Sequence, residues 1–112
     1  MRIAIPLDHG RLGEHFGQCG EFALYDVDEV GKTTRAMSTL TAPPHEPGLL
    51  PRWLHEQGAN VIIAGRMGQR ARDLFKRQGA DVVPGVPPDR VDGVLAAFLD
   101  GTLEAGANTC DH

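Results

Sequence analysis

The first half of the chain alternates apolar and polar residues in short runs, a pattern typical of β-strands with one face in a core. The runs occupy residues 1–7, 21–27 and 33–40, with glycine-containing segments between them. In the first run the β-branched Ile3 and Ile5 favour a strand, which is predicted to stop near Pro6-Leu7-Asp8. Because the connections are short, the three strands are expected to pair in order as an antiparallel meander.

The second half changes to helical spacing interrupted by short apolar strands. Apolar residues recur at helical spacing in segments 50–57, 67–75 and 87–99, and a glycine follows each segment. Residues 61–64 are a continuous apolar run, typical of a strand buried on both faces, and residues 81–84 are predicted to form the next strand. This half therefore predicts three helices and two strands.

A repeated sequence pattern indicates how these elements connect. Residues 57–62 and 78–83 each contain a helix end, a glycine and the start of a buried strand. Two such αβ units predict parallel strands joined by a right-handed crossover. With the meander they give an α/β fold, a mixed five-stranded sheet with three helices, which looks like the ribonuclease H-like group. One domain over residues 1–103 is expected, followed by a flexible tail over 104–112, where apolar periodicity is absent.

The charge balance limits the classes of partner. The formal net charge is −4, so the basic surface that usually binds nucleic acid is not expected. The apolar run at the start is too short for a signal peptide or a membrane span, and two cysteines do not make a disulfide framework. We therefore expect a cytoplasmic protein with reduced thiols, with neither nucleic acid nor a membrane as its partner.

Cysteine and histidine supply the most distinctive chemistry. His15 lies close to Cys19, Cys110 lies close to His112 at the C-terminal end, and His45 lies in a proline-rich segment. Thiolate and imidazole together suit zinc, copper(I) or iron–sulfur species. The spacing is not that of a zinc finger. A buried cysteine and incidental histidines are the alternative, and the pattern alone does not decide between the two.

Two other kinds of site can be weighed from the sequence. A ribonuclease H-like nuclease needs several carboxylates at strand ends to hold two metal ions. Asp8 ends the first strand, but the strand before Gly65 leads to no acid, so this chemistry is not supported. The glycines and arginines of residues 65–70 suit an anion at a helix start, while a tight turn with solvated arginines is the simpler interpretation.

Four segments in combination carry a family resemblance. They are His15-Phe16-Gly17 before a strand, residues 45–54, residues 61–68 and the closing residues 108–112. Together they resemble the dinitrogenase iron–molybdenum cofactor biosynthesis family, which includes NifX-like proteins and the C-terminal domain of NifB. Members of that family have a ribonuclease H-like fold. They bind iron–sulfur cofactor precursors and pass them between assembly proteins, as carriers and not as catalysts.

The resemblance implies a binding site led by His15, the histidine of the His-Phe-Gly motif. The implied metal ligands are His15, Cys19, Cys110 and His112. The implied cofactor-binding residues are His15, His45, Gly65, Arg66, Met67 and Gly68. Arg66 departs from the Gly-Gly-Met-Gly form expected in the family and could place a cation beside an anionic cluster.

We therefore predict a non-catalytic binder or carrier of an iron–sulfur cluster or an iron–molybdenum cofactor precursor, with metallocluster assembly proteins as partners. A regulatory protein with one zinc or iron ion is the first alternative, and a metal-free protein-interaction domain is the second. Because many family members are stand-alone copies, the resemblance implies metallocluster binding more directly than a role in nitrogen fixation.

Overall fold

The chain forms one α/β domain around a mixed sheet. The computed structural model describes residues 1–16, 19–28, 30, 33–43 and 48–103. Its strands are β1 (Arg2–Asp8), β2 (Arg11–Leu12), β3 (Glu21–Asp28), β4 (Thr33–Thr41), β5 (Val61–Ile63) and β6 (Asp81–Val83). Over these residues the sheet has the order β4-β3-β1-β5-β6, and β2 pairs with β1. β1, β3 and β4 are antiparallel neighbours, whereas β5 runs parallel to both β1 and β6.

Position in the sheet explains the different burial of the strands. β1 is central and buried from Ile3 to Leu7, which accounts for its continuous apolar run. β4 lies at an edge, and its residues are exposed except for the half-buried Leu40. The alternation predicted for β4 therefore does not give it a buried face.

Three helices cover the two faces of the sheet. They are α1 (Leu49–Glu56), α2 (Gln69–Arg77) and α3 (Val91–Asp100). Leu54 of α1 and Phe75 of α2 share one core with Phe22 of β3. Val94 and Leu95 of α3 lie in the core on the opposite face. The sheet therefore lies between helices on both faces, and the loops lie at the ends of its strands.

The two repeated segments, residues 57–62 and 78–83, adopt the same structure at the ends of α1 and α2. Gly58 and Gly79 both have left-handed backbones, with φ of 82° and 79°. The next residue in each case donates a hydrogen bond back into the helix, from Ala59 to Leu54 and from Ala80 to Phe75, at 3.1 and 3.0 Å. Glycine permits this helix ending because it has no Cβ. Both units therefore enter their strands in the same way.

The antiparallel meander, the parallel αβ units and the three helices are confirmed. The predicted five strands were one too few, because the segment after Asp8 returns as β2 and pairs Leu7 with Leu12. The first strand ends at Asp8, within the predicted stop at Pro6-Leu7-Asp8. β5 pairs only with Ile3 and Ala4, so Pro6 lies beyond that contact, where its missing N–H is tolerated. The finer ribonuclease H-like description stays a prediction.

Among the residues that the structure describes, every helix is too short or too polar to form a membrane span.

Candidate functional site

The candidate site lies where β1 and β5 end at the same edge of the sheet. After β2 the chain passes through His15, and after β5 it passes through Arg66. These two residues pair as an isolated parallel bridge. The N–H of Phe16 donates to the carbonyl of Arg66 at 2.9 Å, and the N–H of Arg66 donates to the carbonyl of Glu14 at 2.6 Å. The structure therefore brings together His15 and the loop after Ala64.

Phe16 anchors this loop next to His15. Its ring is buried and lies edge-on to Phe22 and Phe75, with centroid distances of 5.8 and 5.6 Å. His15 itself is half-buried. The aromatic contacts thus fix the backbone at residue 16, while the neighbouring imidazole stays at the rim of the domain, where a ligand can reach it.

Cys19 lies under the same loop and not at its surface. Its side chain is buried, and its Sγ donates a hydrogen bond to the carbonyl of His15 at 3.2 Å. Burial, and secondly the charge of Asp8, raises the pKa of the Cys19 thiol to about 11. At neutral pH the group is therefore a thiol, whereas metal ligation uses the thiolate. Its role as a ligand stays a prediction.

Arg66 offers an exposed positive charge beside His15. Its guanidinium lies 4.0 Å from Glu14 Oε1, and the two side chains are 48% and 58% exposed. An ion pair this long and this exposed contributes little stability, so Arg66 can turn toward an anion at small cost. The sequence motif did not identify Glu14 as a residue of the site. Its position directly before the motif histidine could have indicated it.

A shallow cleft of about 190 Å³ opens beside Arg66. It is lined by Glu14, Gly65, Arg66, Gly85, Val86, Pro87 and Pro88. Two hydrogen bonds join the loops after β5 and β6 beside this cleft. The N–H of Gly85 donates to the carbonyl of Gly65 at 2.8 Å, and the N–H of Val86 donates to the carbonyl of Ala64 at 3.0 Å. The loop after β6 therefore forms a second wall, which the sequence analysis did not identify.

The remaining predicted residues differ in their placement. Met67 is buried in the core below the loop, so its side chain serves packing. Gly68 is exposed, with open space where a side chain would stand. His45, Cys110 and His112 lie outside the described residues.

Within the part of the chain that the structure describes, no three histidine, cysteine or acidic side chains come close enough to hold a metal ion. The predicted set of metal ligands extends beyond this part, so it stays a prediction. Of the predicted residues, the structure joins His15, Cys19, Gly65 and Arg66 in one region.

Comparison with known protein families gives a match over most of the chain. A family model described as dinitrogenase iron–molybdenum cofactor matches residues 1–101, from β1 to the end of α3. An uncharacterised protein of Methanocaldococcus jannaschii is 32% identical over 107 residues, which span 93% of this chain and 90% of that protein.

Solved structures share the fold of this chain. The crystal structure of PH0822 superposes with a TM-score of 0.89 at 30% identity and covers 96% of both chains. The apo form of the orange protein from Desulfovibrio gigas has a TM-score of 0.73 at 22% identity, covering 96% of this chain and 93% of that one. At that identity the orange protein shows a likeness in fold alone.

Proposed function

Because the chain belongs to the dinitrogenase iron–molybdenum cofactor family, we propose that it is a non-catalytic carrier of an iron–sulfur-type metallocluster or a cofactor precursor. The single observation that carries the proposal is the pairing of His15 with Arg66 at the exposed end of the sheet. An imidazole, which is a common metal ligand, and a guanidinium thus extend from paired backbone positions.

The two side chains suit complementary parts of such a cargo. The imidazole of His15 can bind a metal through a ring nitrogen. The guanidinium of Arg66 presents several N–H donors to negatively charged groups, and sulfide-bridged clusters generally carry negative charge. The cleft provides room next to Arg66, and His15 is adjacent in sequence to Glu14, which lines it.

A carrier must also release what it binds. A structural zinc site is normally closed by four protein ligands. Here one imidazole and one exposed arginine form the described part of the site, which favours exchange over permanent ligation. Cys110 and His112 stay predicted ligands that would complete the set. The partners implied are proteins that donate and accept the same cargo.

The test is anaerobic loading of the full-length chain with ferrous iron and sulfide. We expect visible charge-transfer absorption, with iron and acid-labile sulfide bound together, and transfer of both to an apo iron–sulfur protein. Binding of zinc or iron without sulfide would instead indicate a mononuclear site. A chain that retains no metal would contradict the proposal and support a metal-free interaction domain.

A further inference from the structure

The loops that carry His15 and Arg66 meet through main-chain atoms. The hydrogen bonds of Phe16 and Arg66 make residues 14–16 and 66 a short parallel pair. Directly opposed residues in such a pair lie on the same face. The distance between the backbone positions from which the imidazole and the guanidinium extend is therefore set by how closely the two loops approach.

Gly65 permits that approach because it has no side chain. A methyl group on Gly65 would lie 2.5 Å from the carbonyl oxygen of Glu14 and 2.7 Å from that of Gly13. Both oxygens belong to the main chain of the other loop, so they cannot rotate away as a side chain would. Any larger residue at position 65 must push the loops apart.

A second close contact supports the loop from inside. A methyl group on Gly13 would lie 2.1 Å from Sγ of Cys19, whereas its distance to Cβ of Asp8 would be an ordinary 3.5 Å. The same Sγ donates to the carbonyl of His15. Cys19 thus fills the space beside Gly13 and also bonds the backbone of the histidine.

We propose that Gly13, Cys19 and Gly65 are positioning residues that hold the backbone of His15 against that of Arg66, so that imidazole and guanidinium extend from adjacent positions. The inference rests on the proposed function and deepens it, since it gives Cys19 a positioning role in place of metal ligation. The recognised cargo must then offer a metal with an open position next to a negatively charged group.

The contact between Gly13 and Cys19 allows a compensating test. Gly13→Ala introduces a methyl group that clashes with Sγ of Cys19. Cys19→Ala removes that sulfur, so in the double variant the new methyl group takes the space that the sulfur left. The remaining contact of the new methyl, with Cβ of residue 19 at 3.7 Å, is ordinary. Gly20→Ala is the matched control, because a methyl group there meets nothing within 4 Å.

Two measurements separate positioning from simple destabilisation. NMR hydrogen exchange of the Phe16 and Arg66 amides, and the imidazole signals of His15, report the loop pairing without cargo. Retention of a cluster formed from ferrous iron and sulfide reports binding. In Gly13→Ala we expect at least about tenfold faster amide exchange, altered His15 signals and weaker retention. In the double variant all three should return only part of the way, because the clash is relieved while the hydrogen bond from Sγ to His15 stays lost. Gly20→Ala should match the parent.

The possible contrary results are distinct. Unchanged exchange in Gly13→Ala, or a double variant that stays as perturbed as the single one, would overturn the positioning role. Faster exchange with undiminished cluster retention would also overturn it while leaving the proposed function standing. A parent chain that retains no cluster would contradict the proposed function, and the inference would fail with it.

Discussion

At the scale of the residue, His15 and Cys19 lie close together in sequence but in different environments. His15 is half-buried at the rim, while the Cys19 thiol is buried and bonded to the backbone of His15. Both are soft-metal ligands by residue type, and the sequence gives no sign of which one faces outward. The burial of Cys19 opposes the loss of its thiol proton, and metal ligation requires that loss.

Replacement of His15 tests the ligand assignment directly. His15→Ala should lower affinity for a cluster formed from ferrous iron and sulfide by at least about tenfold, because a lost metal ligand is seldom replaced. The melting temperature should change little, since a half-buried rim side chain adds little to the core. Spectroscopic titration and thermal unfolding measure the two effects.

His55→Ala is the matched control, because His55 is an exposed histidine in the last turn of α1. It should bind the cluster like the parent. Equal affinity in the His15 and His55 variants would contradict the assignment of His15.

At the scale of the element, one arginine ties three parts of the fold together. Arg2 of β1 donates to both carboxylate oxygens of Asp26 in β3, at 2.7 and 3.2 Å. It also donates to the carbonyl of Gln57 at the end of α1. The hydrogen bond from Arg2, and then its charge, holds the pKa of the Asp26 carboxyl below its usual value. β1, β3 and α1 are therefore joined at the end of the sheet opposite the candidate site.

The Asp26 carboxylate should make stability depend on pH. A lowered folded-state pKa stabilises the domain above the unfolded value of 3.8, and this contribution is lost as pH falls through the lower folded value. Asp26→Asn should therefore lower the melting temperature at neutral pH by a few degrees at most, because the pair is part-exposed. The difference from the parent should shrink in acid.

Calorimetry across pH measures this effect, with the exposed Asp100→Asn as control. A deficit in the Asp26 variant that persists unchanged into strong acid would show that the carboxylate charge is not its cause.

At the scale of the whole molecule, the order of elements was predictable and the local contacts were not. Apolar periodicity identified the meander and both αβ units, because whole runs of residues must face a core. It missed β2, whose two residues are too few to show a period. It also missed the wall formed by Gly85 to Pro88, since contacts between distant loops leave no pattern in either loop. His15 and Arg66 were found through a motif, and their pairing needed the structure.

The C-terminal residues provide a test of the full chain. Removal of residues 109–112 should lower metal affinity, because it deletes the predicted ligands Cys110 and His112. The melting temperature of the metal-free protein should stay the same, since that segment has no apolar periodicity. Metal titration and thermal unfolding compare the two chains.

A full-length Cys110→Ser/His112→Asn variant separates loss of ligands from loss of length. It should bind metal as weakly as the shortened chain, with the deficit measured above the pH at which the thiol ionises. Affinity equal to the parent in both variants would exclude these residues from the site.

The main-chain pairing of residues 14–16 with Arg66 has a consequence for how the protein can change over time. The hydrogen bonds use backbone N–H and carbonyl groups, so they place no demand on the side chains at positions 15 and 66. Substitutions at these two positions change the chemical groups at the surface, while Gly13 and Gly65 still allow the two backbones to approach closely. Gene duplicates of such a domain can therefore acquire different surface chemistry at these two positions while the backbone pairing between the loops is retained.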